Sequence, residues 1–223
     1  MTDAKSVTRK FCSKLSTRHS LILTDPHHNP LVVIGRIGRP HGVTGLLHVD
    51  RAGENLRAFT GKEVHLCAAN NNAALLDAQV TTRHVKLARC EPAKGDVTRI
   101  ALEGFTDRDQ AAALTNFLIA VPRSELMAFV AKHRKGEPQA LADLWYFEMI
   151  GLTVRDAESN QPFARILRVE DLGHNALVTL EPLPGQTLLS RPFDLPLEYP
   201  HWGNVDLSLE QVTLAEWKLF AEA

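Results

Sequence analysis

The sequence predicts a mainly β protein made of two small β-barrel units in series. Three observations predict it. Short β-branched and apolar runs of strand length recur along the chain, several of them alternating with polar residues. Clusters of Gly, Pro and Asn punctuate these runs at turn-like intervals. A charged run ending in breakers, Lys132 to Pro138, separates the two β-rich stretches. A chain of 223 residues accommodates one large or two small domains and buries a core without staples.

Taken in order, residues 1–30 hold Lys5, Arg9, Lys10, Lys14 and Arg18 among serines and threonines. They read as a disordered leader, with a targeting peptide or an upstream start as alternatives. Leu31 to Ile37 is a strand, and Gly45 to Val49 its partner. Between them lies Gly38-Arg39-Pro40-His41-Gly42, a glycine-shaped loop with a basic tip. Arg51 to Gly61 is expected as loop, and Lys62 to Cys67 as a half-buried strand. Val85 and Leu87 alternate with His84 and Lys86, the period of a strand with one wet face. Val97 to Leu102 is another strand. Thr106 is expected to cap a short helix through Ala111 to Leu114, with Asn116 as a left-handed stop. Phe117 to Val121 returns as a strand before Pro122. About six strands and one helix in this length suggest a small closed barrel, which removes exposed edges. Residues 123–142 read as a linker, with one amphipathic helix over Ser124 to His133 carrying Leu126, Met127 and Val130 on one side. Beyond it, Leu152 to Val154, Arg165 to Glu170, Ala176 to Leu180, Thr187 to Leu189 and Gln211 to Leu214 are the expected strands of a second unit. The tail, Ala215 to Phe220, is expected as a helix docking through Trp217, Leu219 and Phe220.

Composition excludes several function classes. A formal net charge of −1 gives no global basic field, so any RNA contact must come from a local patch. Cys12, Cys67 and Cys90 are odd in number and widely spaced, which argues against disulfides and zinc and for a reducing, cytoplasmic setting. No apolar run reaches the roughly 20 residues of a membrane span. No metal or cofactor is expected.

The motifs point to binding. The glycine loop matches neither the dinucleotide fingerprint nor the P-loop, since the spacing is wrong and no Lys-Ser/Thr follows. It is either a plain turn or a presented binding tip, and Arg39 and His41 favour the second. His84, Lys86, Arg89, Lys94 and Arg99 form a basic cluster that reads as the solvated half of a sheet rather than a phosphate contact. Trp145-Tyr146-Phe147 cannot all face one core in a strand. At least one should lie at an interface, with the chain's own first domain or with a foreign partner. No H-E-x-x-H, no G-x-S-x-G and no nucleophile neighbourhood appears, so nothing argues for an enzyme.

Four stretches in order resemble one family. Gly35-Arg36-Ile37-Gly38-Arg39-Pro40-His41-Gly42-Val43-Thr44-Gly45 resembles the N-terminal signature of the bacterial ribosome maturation factor RimM. Gly104 to Ala111, running on through Val121 to Leu126, is similar to the end of that family's first barrel. Trp145 to Leu152 resembles the opening of its PRC-barrel domain, and Arg191-Pro192-Phe193 with Val205-Asp206-Leu207 its closing segments. The chain departs from the pattern at Leu144-Trp145, where a tyrosine pair is usual, at Gly173 to Ala176, at Asn116 and at Ser190 to Phe193.

The resemblance implies a six-stranded translation-factor-like barrel over 31–122, a linker over 123–142, a PRC barrel over 143–214 and a tail over 215–223. It implies a monomeric assembly factor that is not an enzyme. The implied partners are small-subunit ribosomal protein nineteen in the head of the immature small ribosomal subunit, with rRNA contacts possible, and the implied role is rRNA maturation. A β-barrel module contacting rRNA directly is the alternative. Arg39, Pro40, His41, Gly42, Gly45, Trp145 and Tyr146 are the candidate partner-binding residues.

Overall fold

The computed structural model describes residues 22–24, 29–50, 54–68, 82–93, 98–172 and 175–221. Two compact units divide between His133 and Arg134.

The first unit is a barrel because one long strand closes its own sheet. Strand β2 (Pro30–His41) is 12 residues long, and its two halves serve different neighbours. Leu31 to Arg36 pairs with β7 (Leu118–Pro122), and Arg36 to His41 with β3 (Leu46–Asp50). From β3 the ladder passes through β6 (Thr98–Leu102), β5 (Thr82–Pro92) and β4 (Glu63–Cys67) back to β7, so six strands close on themselves. Register breaks between Val33 and Gly35 and between Ile37 and Pro40 give β2 the bend this needs. A Cβ at Gly35 would lie 2.7 Å from Val49 Cγ1, so a larger residue would push the wall outward there. Ile34, Ile37, Leu47, Val49, Leu56, Phe59, Val64, Leu66, Leu87, Ile100 and Ile119 are buried.

Several expectations change. Ile22–Thr24 is a strand, β1, paired with β2, and Ile22 is buried, so those residues are not leader. The basic residues of the expected leader lie outside the described residues, as do Asn70 to Asn72 and Gly173-His174. The stretch read as loop contains a helix, Glu54–Ala58, because Leu56 and Phe59 can bury themselves from it. Val64 to Cys67 are all buried, not alternating. The outward Cys67 joins an apolar cluster with Leu31 and Ala120, and the His65 ring lies 4.2 Å from that of His84. The Arg108–Ala112 helix is capped by Asp107, not Thr106: Asp107 Oδ1 accepts from the N–H groups of Asp109 and Gln110, each at 2.9 Å. A carboxylate is the stronger acceptor for those donors. Asn116 does take the left-handed conformation, at φ 73°. Arg123–His133 is helical, buries Leu126 and Val130, and packs against β2 and β7. That half of the expected linker therefore belongs to the first unit.

The second unit is a curled six-stranded sheet of β8 (Thr153–Asp156), β9 (Pro162–Asp171), β10 (Ala176–Pro182), β11 (Phe193–Pro196), β12 (Trp202–Asp206) and β13 (Gln211–Leu214). Its order is β11-β10-β9-β8-β13-β12, with β8 and β13 parallel and the other pairs antiparallel. The two end strands are bridged by a side chain, Trp202 Nε1 donating to the Pro196 carbonyl at 3.2 Å. Thr187 to Leu189 is not a strand. Leu189 is instead held in a turn by Gln186, which bonds both its N–H and its carbonyl. The aromatic trio is not a strand either: Tyr146–Met149 is a short helix, with Glu148 Oε2 accepting the Trp145 N–H at 2.9 Å. Buried Glu148 is also ion-paired with Arg134, which ties the end of the charged run into the second unit.

Trp217 is the keystone of this core. It is 1% exposed, stacks on Phe163 at 4.1 Å, and donates Nε1–H to Asp156 Oδ1 at 2.9 Å. Asp156 also accepts from the Ser159 N–H and hydroxyl. Burial raises its carboxyl, but these bonds, with Lys218 nearby, outweigh burial and hold it below the usual carboxylate range. Of the expected docking groups Trp217 is buried, Phe220 meets Tyr199 edge to face at 5.0 Å, and Leu219 stays 75% exposed. The helix there is Lys218–Ala221.

Candidate functional site

The tip of the β2–β3 hairpin is the most strongly determined surface feature of the first unit. Strand β2 ends at His41, Gly42 to Gly45 turn, and β3 begins at Leu46. Gly38 to His41, expected as loop, are strand instead, because pairing of Pro40 with Leu47 and His41 with Leu46 carries β2 past Ile37. Gly42 and Gly45 have φ of 67° and 72°, a region where L side chains are strained. The two differ in surroundings. A Cβ on Gly42 would meet nothing within 4 Å, whereas one on Gly45 would lie 2.2 Å from the Phe105 carbonyl oxygen. Gly45 is therefore where the tip seats against the loop before the Arg108–Ala112 helix. Arg108 completes that contact, donating from Nη1 to the Gly42 carbonyl at 3.2 Å. Within the loop, the Thr106 N–H donates to Gln110 Oε1 at 3.0 Å.

A second support lies under the tip. His48 on β3 pairs in register with Arg99 on β6. His41 Nδ1 lies 3.1 Å from His48 Nε2, and Arg99 Nη1 lies 3.3 Å from His41 Nε2. The two imidazoles meet edge to face at 4.8 Å. Burial, then His41, Arg99 and Arg39, push the His48 imidazole below its usual value, against an opposing pull from Asp50.

Of the sequence-predicted residues, Arg39 and Gly42 are exposed, Pro40 and His41 are half-buried, and Gly45 is buried. Val43 is 75% exposed at the apex. Trp145 and Tyr146 lie in the second unit, both half-buried at the start of the Tyr146–Met149 helix. The supporting roles of His48, Arg99 and Arg108 were not foreseen from sequence. Arg99 appeared only as a member of the basic cluster. Its other described members face carboxylates or stand beside them: His84 with Glu63 at 4.0 Å, Lys86 with Glu103 at 3.6 Å and Arg89 with Glu91 at 2.6 Å. Lys94 lies outside the described residues. Those exposed pairs contribute little and mark a solvated face, whereas Arg99 turns to the tip.

Chemically, the tip offers a guanidinium, a proline ring, an apolar apex and a braced backbone. No group of three or more His, Cys, Asp or Glu that could hold a metal occurs among the described residues. None of the described helices is long and apolar enough to cross a membrane.

Residues 32–126 match the RimM N-terminal domain. The ribosome maturation factor RimM of Rhodopseudomonas palustris is 28% identical over 183 residues, covering 82% of this chain and 85% of that one. The family is RimM. The ribosome maturation factor RimM of Legionella pneumophila is 25% identical over 196 residues, covering 84% of this chain and 95% of its own. A solved RimM from Pseudomonas aeruginosa is 24% identical and covers 85% of this chain and 99% of that one, with a TM-score of 0.34. The RimM N-terminal match contains the whole tip together with His48, Arg99 and Arg108. It runs into the Arg123–His133 helix, as the packing of that helix on the barrel requires.

Proposed function

We propose that this protein is a ribosome maturation factor that binds the immature small ribosomal subunit and promotes maturation of its rRNA without catalysing a reaction. Its partner in the subunit head is small-subunit ribosomal protein nineteen, and it acts in the cytoplasm as a monomer. One observation carries this reading. Two family motifs some 60 residues apart in sequence meet at the tip, where Gly45 seats on Phe105 and Arg108 holds Gly42. A turn that merely joined two strands would need neither contact. Arg39, Pro40, His41, Gly42 and Gly45 form one contact region, and Trp145 and Tyr146 a second. A near-neutral chain with a local cationic tip suits a basic protein already bound to RNA. An assembly factor must leave the finished particle, so its affinity has to differ between immature and mature states.

Co-sedimentation with immature small subunits tests the proposal, with cross-linking to separate protein from RNA contacts. Binding to immature subunits and release from mature ones is expected, and Arg39→Ala with His41→Ala should weaken binding while leaving the fold intact. Equal retention on mature subunits, or pre-rRNA turnover by the purified protein alone, would overturn it. The exposed Arg39 guanidinium favours one second reading, direct rRNA binding by the barrel. Steep salt dependence on naked rRNA, with no need for the ribosomal protein, would decide for it.

A further inference from the structure

Arg99, His41 and His48 form a hydrogen-bonded line that runs in one direction. A guanidinium carries donors and no acceptor. With Arg99 Nη1 at 3.3 Å from His41 Nε2, that ring nitrogen must be the bare one. The His41 proton then sits on Nδ1 and points at His48 Nε2, 3.1 Å away. His48 Nε2 accepts it, so the His48 proton is on Nδ1. A proton on His41 Nε2 would face Arg99, and one on His48 Nε2 would face the His41 N–H. Burial, with His41 and Arg39 on β2 and Arg99 on β6, disfavours a doubly protonated His48 against the pull of Asp50 on β3. His48 Nδ1 itself is buried and meets no hydrogen-bond partner among the described residues, so the line ends on an unpaired N–H, a cost its two hydrogen bonds offset.

Both ring nitrogens of His41 are thus engaged inside the protein. They have no hydrogen bond left for a partner. This changes the division of labour at the tip, and rests on the proposal that the tip is a recognition surface. We propose that Arg99 is the positioning residue of the tip: it locks His41 into its Nδ1–H tautomer against His48, so that His41 is a strut and Arg39 is the polar side chain that meets the partner.

The test uses the full-length protein with 15N-labelled histidine. Long-range 1H–15N correlation spectra distinguish the two neutral tautomers directly, a readout that a merely structural role for Arg99 would not move. His41 is expected as Nδ1–H in the wild type and in Arg99→Lys, which keeps a donor, and as the ordinary Nε2–H form in Arg99→Met. Binding to immature small subunits should fall about tenfold in Arg99→Met, the scale of one lost charge-assisted hydrogen bond, and less than about threefold in Arg99→Lys. An Nε2–H tautomer of His41 in the wild type would overturn the proposal. So would unchanged binding by Arg99→Met where Arg39→Ala binds weakly. If Arg39→Ala itself binds normally, the recognition role of the tip fails, and the tautomer of His41 in Arg99→Met still decides the strut on its own.

Discussion

Gly42 and Gly45 make a controlled pair for testing how the tip is built. Both have φ near 70°, so alanine meets a similar backbone cost at each, about 1–2 kcal/mol for a left-handed L residue. They differ in space. At Gly42 the new Cβ meets nothing within 4 Å. At Gly45 it would lie 2.2 Å from Phe105 O and 2.9 Å from Phe105 C, both backbone atoms that no rotamer change can move. Relief needs the loop to retreat by roughly 1 Å, an overpacking cost of about 1–3 kcal/mol. Gly45→Ala should therefore be the less stable by about 1–3 kcal/mol. At about 4 °C per kcal/mol for a unit of this size, the barrel transition should fall some 4–12 °C further than in Gly42→Ala. Scanning calorimetry measures this. All three tryptophans, Trp145, Trp202 and Trp217, follow Arg134, so tryptophan fluorescence identifies the transition of the second unit. Gly45→Ala should also weaken binding to immature subunits, because the Arg108 clamp on Gly42 shifts with the loop. Equal melting of the two variants would refute the seating of Gly45 on Phe105.

Trp217→Phe keeps the stacking on Phe163 but strips one donor from buried Asp156, which should destabilise the second unit by about 1.5–3 kcal/mol in urea titrations followed by the remaining tryptophans. The same variant should flatten the acid limb of stability. The Asp156 carboxyl is depressed in the fold, so its contribution is present above the unfolded carboxylate value and is lost as pH falls through the folded value. Removing a donor shrinks that difference, and an unaltered acid limb would count against it. Trp145→Ala, at a half-buried site whose N–H bond to Glu148 survives, should cost about 1 kcal/mol or less in a thermal melt yet weaken partner binding by about thirtyfold, as an interface anchor does; a large melt shift with normal binding would assign it to domain packing instead. Cys67 is buried and its thiol is pushed up to about 12, so alkylation of the native protein at neutral pH should leave it unmodified by mass spectrometry while the unfolded chain reacts.

Local patterns determined a good deal of this protein. Alternation set β5, where Val85 and Leu87 point inward and His84 and Lys86 outward, because a strand's period does not depend on its neighbours. Turn chemistry found this loop and put Asn116 at a left-handed stop, because those conformations exclude most residues on steric grounds alone. But it drew the tip at Arg39-Pro40-His41, which belong to β2, whereas the turn itself is Gly42 to Gly45. Four short motifs in order were enough to point to the resemblance to RimM, since each is a run of adjacent residues.

Tertiary structure decided everything that depends on residues distant in sequence. Glu54–Ala58 became a helix because the barrel buries Leu56 and Phe59, and the aromatic trio became one because Glu148 caps it at Trp145 and pairs with Arg134. Trp217 docks as expected, but where it docks was decided by Phe163 and Asp156, more than 50 residues earlier, which offer it a stacking face and an acceptor. At the tip, sequence supplied Arg39 and His41 as equals. The register that places His48 opposite Arg99 separated them, because whether an imidazole is a contact or a strut depends on which nitrogens are already bonded, and those bonds cross 7 residues to His48 and 58 to Arg99.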